Sequence, residues 1–143
     1  VRISKVKRYF DSNPSLGLIL AAINFEWTVS RAICFLSKTP NSELKEKIAK
    51  YYGIDKYKDF WKKELTSHRQ IQTLPTIIRD WQKVRKAFHV RNLLVHGRDR
   101  CTHKMAKPHY EALVNAVIDI DEYCSKLGVQ LNKRMPVRRK SKA

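Results

Sequence analysis

The residues best suited to chemistry form one short run, Arg91-Asn92-Leu93-Leu94-Val95-His96-Gly97, in which an arginine, an amide and an imidazole interrupt an otherwise apolar stretch. At helical spacing Asn92 and His96 are one turn apart on the same face, and Arg91 lies on its flank. Such groups suit phosphodiester chemistry on RNA. An imidazole takes a proton from a 2′-hydroxyl or gives one to a leaving 5′-oxygen. A guanidinium offers paired donors to non-bridging oxygens as charge builds, and the amide orients either partner. With the RNA's own 2′-hydroxyl as nucleophile no metal or cofactor is required. The products are then a 2′,3′-cyclic phosphate and a 5′-hydroxyl.

A rigid element must carry these groups, and the pattern around them predicts helices throughout. Val1 to Phe10 reads as a short basic amphipathic helix. Asn13-Pro14 is a cap signal for a long helix from about Ser15 to Ser37, with Leu18, Ala22, Phe25, Val29, Ile33 and Leu36 inward. Thr39-Pro40 repeats the signal ahead of a helix from Asn41 to Tyr52, stopped by a left-handed Gly53. A third begins at Asp55, and the polar stretch Thr66 to Thr73 reads as a loop. Leu74-Pro75 then opens one continuous helix to His96, with Gly97 as its stop. Arg98 to Lys107 is a charged connection, and Pro108 starts a last helix that runs to Leu127 and ends at Gly128. Residues 1–128 are thus expected to form one all-α, four- to five-helix bundle. Residues 129–143, rich in Lys and Arg, are expected to be a disordered basic tail.

Charge narrows the partner. The 30 Lys and Arg residues against 13 Asp and Glu give a formal net charge of +17, which works against compaction unless it answers to a polyanion. RNA is the first candidate. The longest apolar stretch, Leu16 to Ile23, is interrupted by Gly17 and soon followed by Asn24 and Glu26, so a membrane partner is not expected. The first residue is Val1 rather than Met, so the natural N-terminus is expected upstream, and no signal-peptide pattern is visible. Cys34, Cys101 and Cys124 make no CxxC pair, which fits reduced thiols and a cytoplasmic location.

An arginine, a polar residue, and a histidine after four intervening residues, followed by glycine and a final helix in a small bundle, resembles the HEPN family. The resemblance spans most of Leu16 to Leu127, but only Arg91 to Gly97 matches a motif. It implies a dimerising bundle that brings the Arg/His segments of two protomers into one cleft and cuts RNA without metal. It also implies a toxin or phage-defence role, with an antitoxin or other regulatory protein as a further partner. Carried over, Arg91 and His96 are the catalytic pair and Asn92 the polar residue of the motif.

Plainer readings stand beside these. Arg91 also suits a solvated or a carboxylate-paired helix arginine, and His96 a helix-terminal cap whose cation suits the dipole. Glu26, alone in an apolar stretch, either pairs with Arg91 and orients it, pairs with Arg31, or faces water. Lys83, Arg85 and Lys86 form either a solvated face or, with Arg98, Arg100 and Lys104, the floor of an RNA groove. His96, Cys101, His103 and His109 are donor-rich but match no common zinc spacing, so no metal site is assigned. The basic tail is either an RNA-gripping arm or a solubilising end. The alternative to an enzyme is a non-catalytic RNA-binding or protein-interaction module.

Overall fold

The computed structural model describes residues 3–51, 53–97 and 100–139, and the side chains there with the exception of His68. Among them every regular element is a helix. Helix α1 (Ile3–Ser12) turns directly into α2 (Pro14–Leu36) at Asn13, whose carboxamide oxygen accepts the Leu16 N–H at 3.2 Å. Pro14 sits at the first helical position, where its missing N–H costs nothing. The hairpin closes tightly because position 17 is glycine: a Cβ there would overlap the Phe10 backbone. Phe10 is thereby buried, stacked on Tyr110 with ring centroids 4.1 Å apart.

Helix α2 is the central rod, burying Leu18, Ala22, Phe25, Val29, Ile33 and Leu36 against α1 and the later helices Trp81–Val95 and His103–Lys126. It is by length and composition apolar enough to cross a membrane, which the interrupted Leu16–Ile23 stretch did not suggest. In this fold part of that apolar surface is buried in the core, while Leu16, Ile23 and Trp27 stay exposed.

Helix α3 (Asn41–Ala49) ends before the expected Tyr52, because the Lys50 and Tyr51 N–H groups tighten onto carbonyls three residues back. Gly53 does have a positive φ of 86°, but it flanks the start of α4 (Ile54–Trp61). That helix continues through a π-helical stretch, Lys62–Thr66, and a last turn, Ser67–Arg69, so the expected loop begins only at Gln70. Burial of Leu65 and a 2.7 Å bond from Arg69 to the Leu36 carbonyl, at the end of α2, hold this polar stretch helical.

The expected single helix from Leu74 to His96 is two. Short α5 (Leu74–Ile77) is separated from α6 (Trp81–Val95) by a corner built on buried Asp119. Its carboxylate accepts the Arg79 N–H at 3.0 Å and Arg79 Nε at 3.1 Å, and Asp80 then caps α6 by accepting the Lys83 N–H. Gly97, at φ 66°, stops α6 as its left-handed residue. Helix α7 (His103–Lys126) starts earlier than expected, because Thr102 rather than Pro108 provides the cap, and Pro108 lies inside it.

Within the expected disordered tail, residues 129–139 are instead an irregular strap laid along α2 and α3. Leu131 is buried. Arg31 donates to the Leu131 and Lys133 carbonyls at 2.8 and 2.6 Å, while its guanidinium lies over the Trp27 ring. Arg138 donates to the carbonyls of Thr39 and Cys34, and Asn41 to those of Arg138 and Pro136. The guanidinium groups of Arg31 and Arg138 thus donate to main-chain carbonyls rather than standing as free charges, which composition does not reveal. Residues 140–143 lie outside the described residues.

Candidate functional site

Helix α6 is the platform. Trp81, Val84, Ala87, Phe88 and Leu94 bury one side of it, leaving Arg85, His89, Asn92 and His96 in a stripe at four-, three- and four-residue steps. Arg91 is turned toward α2. Its Nη2 donates to Glu26 Oε1 at 3.0 Å, its guanidinium stacks 5.1 Å from the Phe88 ring centre, and Tyr57 donates to Glu26 Oε2 at 3.2 Å. Of the partners open to Glu26, the structure therefore selects Arg91, while Arg31 is committed to the C-terminal strap. The Arg91 Nε–H is buried with no acceptor among the described residues. The guanidinium is fixed on its inner side by a carboxylate and an aromatic ring.

Asn92 and His96 are exposed. Asn92 opens onto a groove of about 540 Å³ whose walls include Asp55 at the start of α4, Arg85, Lys86 and His89 on α6, and His109 on α7. His96 lies at the C-terminal cap of α6 and does not line this groove, and Arg91 belongs to neither surface. A single protomer therefore turns Arg91 away from His96, as an offset of about 140° around an ideal helix requires, and of the three motif residues Asn92 alone is among the groove's lining.

The proposed basic floor is only partly assembled. Arg85 and Lys86 share the groove, with Arg85 held by Asp55 at 3.4 Å. Lys83 instead pairs with Asp80 at 3.2 Å and borders a separate cavity beside Glu111 and Asp119. Lys104 and Arg100 are exposed and line neither cavity, and Arg98 lies outside the described residues.

The motif left out Tyr57, which shares Glu26 with Arg91, and the groove histidines His89 and His109. His89 was legible as the residue one turn before Asn92; Tyr57 and His109 are brought in by tertiary packing and carry no local signal. Burial, followed by the nearby Lys86 charge, holds His109 below the ordinary imidazole range. His103 packs on Phe10 and approaches Asp11 at 3.7 Å. Among the described residues, no three metal-ligating His, Cys, Asp or Glu side chains gather. Comparison with known proteins places nothing beside this arrangement: the chain matches no family model and shows no significant similarity to a curated protein or a solved structure.

Proposed function

We propose that this domain is a metal-independent endoribonuclease of HEPN type, cytoplasmic and acting as a homodimer in a toxin or phage-defence setting under a regulatory partner. The observation that carries the reading is the Glu26–Arg91 pair: a guanidinium pinned in a half-buried seat, one position from an exposed amide and on the same helix end as an exposed histidine. Preorganised charge is what phosphoryl chemistry needs, because donors already in place cost no reorganisation as negative charge develops.

In this mechanism the 2′-oxygen attacks the adjacent phosphorus and its proton passes to one His96 imidazole. The bond from phosphorus to the 5′-oxygen breaks, and a second His96 protonates that oxygen. Arg91 stabilises the charge on the non-bridging oxygens, and Asn92 orients the ribose or phosphate. One protomer holds Arg91 and His96 apart, so a twofold pairing of α6 ends supplies the base and the acid from two chains.

The test is RNA cleavage in EDTA by the wild type, His96→Ala and Arg91→Ala proteins. The wild type cuts, and His96→Ala is slower by about a hundredfold or more. Equal rates in the wild type and His96→Ala reject the assignment. Full specific activity from a sedimenting monomer rejects the shared cleft.

A further inference from the structure

The α6 groove contains chemistry that the Arg91/His96 mechanism does not use. Arg85 and Lys86 bring two cations to it, and Asp55, the one carboxylate among its lining residues, is occupied by Arg85. Lys86 remains as a point charge suited to a phosphate oxygen. His109 on α7, partly buried, lines the same groove and lies close enough for the Lys86 charge to act on it, and Asn92 of the motif lines it too. We propose that this groove holds the ribose-phosphate backbone of single-stranded RNA, with Lys86 on a phosphate and His109 accepting a hydrogen bond from a ribose 2′-hydroxyl. The inference rests on the ribonuclease reading, to which it adds a site selecting RNA over DNA.

The physical argument is one of complementary groups. A 2′-hydroxyl is the only backbone feature that separates RNA from DNA, and it donates as well as accepts. Arginine and lysine are donors only and are drawn first to the phosphate oxygens that RNA and DNA share; a neutral imidazole has a lone pair that accepts the hydroxyl proton. Burial and Lys86 disfavour protonation of His109, leaving that lone pair available near neutral pH. A cation and an acceptor lining one groove then read two atoms of one nucleotide, and the groove is wide enough, at about 540 Å³, for a sugar and its phosphate.

The experiment uses the full chain carrying His96→Ala, so that RNA stays intact, and fluorescein-labelled single strands of identical sequence made of RNA or DNA. RNA binds about fivefold more tightly than DNA, the value of one ordinary hydrogen bond. Adding His109→Phe removes the preference by weakening RNA alone, and His109→Gln, which keeps an acceptor oxygen, retains it. Adding Lys86→Gln weakens both strands alike and lowers the slope of log affinity against log salt by about one. Helical content by circular dichroism confirms that each variant is folded. An unchanged RNA/DNA ratio in His109→Phe overturns the 2′-hydroxyl contact, and unchanged affinity in Lys86→Gln overturns the groove. Cleavage by the His96-intact protein with either result leaves the ribonuclease reading standing; discrimination without cleavage leaves the groove and removes the enzyme.

Discussion

Removing the Glu26 carboxylate isolates the interaction that fixes Arg91. Glu26→Ala deletes a charge-assisted hydrogen bond of 3.0 Å, an interaction of about 1.5–3 kcal/mol in proteins. The two side chains retain 20% and 26% exposure, so water replaces part of it, and the lower end, about 1.5 kcal/mol, is the appropriate figure. Loss of the Tyr57 bond to the same carboxylate raises the total to about 2 kcal/mol. With a urea dependence of about 1.5 kcal/mol/M for a domain of this size, the unfolding midpoint falls by about 1.3 M. Urea titrations of Glu26→Ala, Arg91→Ala and the double variant form a cycle whose coupling energy is about 1–2 kcal/mol. A parallel cycle with Arg31→Ala gives additive effects, because Arg31 bonds the strap and not Glu26. RNA cleavage follows the same order, with Glu26→Gln, which keeps an acceptor for Arg91, between the wild type and Glu26→Ala. Additivity of Glu26→Ala and Arg91→Ala within about 0.5 kcal/mol refutes the reasoning.

Deleting residues 129–143 exposes the Leu131 seat and frees Arg31, lowering stability by at least about 2 kcal/mol, whereas a bystander tail would leave the urea midpoint unchanged. The same deletion frees the Cys34 carbonyl from Arg138, and relief of the burial that raises the Cys34 thiol outweighs loss of the Arg138 charge that lowers it, so Cys34 alkylates faster. Cys124, its pKa pushed up to about 12 by burial and Asp121, stays inert in the native state. Gly17→Ala forces α1 off α2 and costs about 3 kcal/mol or more, read as a fall in melting temperature; a change within about 0.5 kcal/mol contradicts the close approach at Phe10. His109 resists in the folded state a proton that the unfolded chain takes up at the ordinary value of 6.5. Its contribution is therefore intact above that value and is lost as pH falls through it toward the lower folded pKa, and His109→Gln flattens this part of the stability profile.

Local signals carried much of the fold. Asn13-Pro14 marks the start of α2, and Gly97 and Gly128 fall just past the ends of α6 and α7 with positive φ, the left-handed ending that glycine favours. What misled was remote. The corner between α5 and α6 depends on Asp119, forty residues along, so the apolar periodicity from Leu74 onward runs through a break it cannot register. The strap has the composition of a solvated tail, yet its Arg138 finds main-chain carbonyls at the end of α2, and Arg31 of α2 finds those of the strap. At the site, the spacing of Arg91, Asn92 and His96 was legible because all three ride one helix. The choice between Arg91 and Arg31 for Glu26 was not, since α2 offers Arg31 nearby in sequence and only packing presents Arg91. The basic residues divided likewise: Arg85 and Lys86 reach one groove, and Lys83, two and three positions away, is turned to an acidic neighbourhood.

The central claim, that the Arg91–His96 helix end cuts RNA through its own 2′-hydroxyl, is tested most directly by mass spectrometry of the fragment ends. A short RNA is incubated with the protein in EDTA, beside a copy in which every 2′-hydroxyl is replaced by 2′-O-methyl. The expected result is 5′ fragments ending in 2′,3′-cyclic phosphate from the first substrate and no fragments from the second. Fragments bearing 3′-hydroxyl ends, or any cutting of the methylated strand, contradict it.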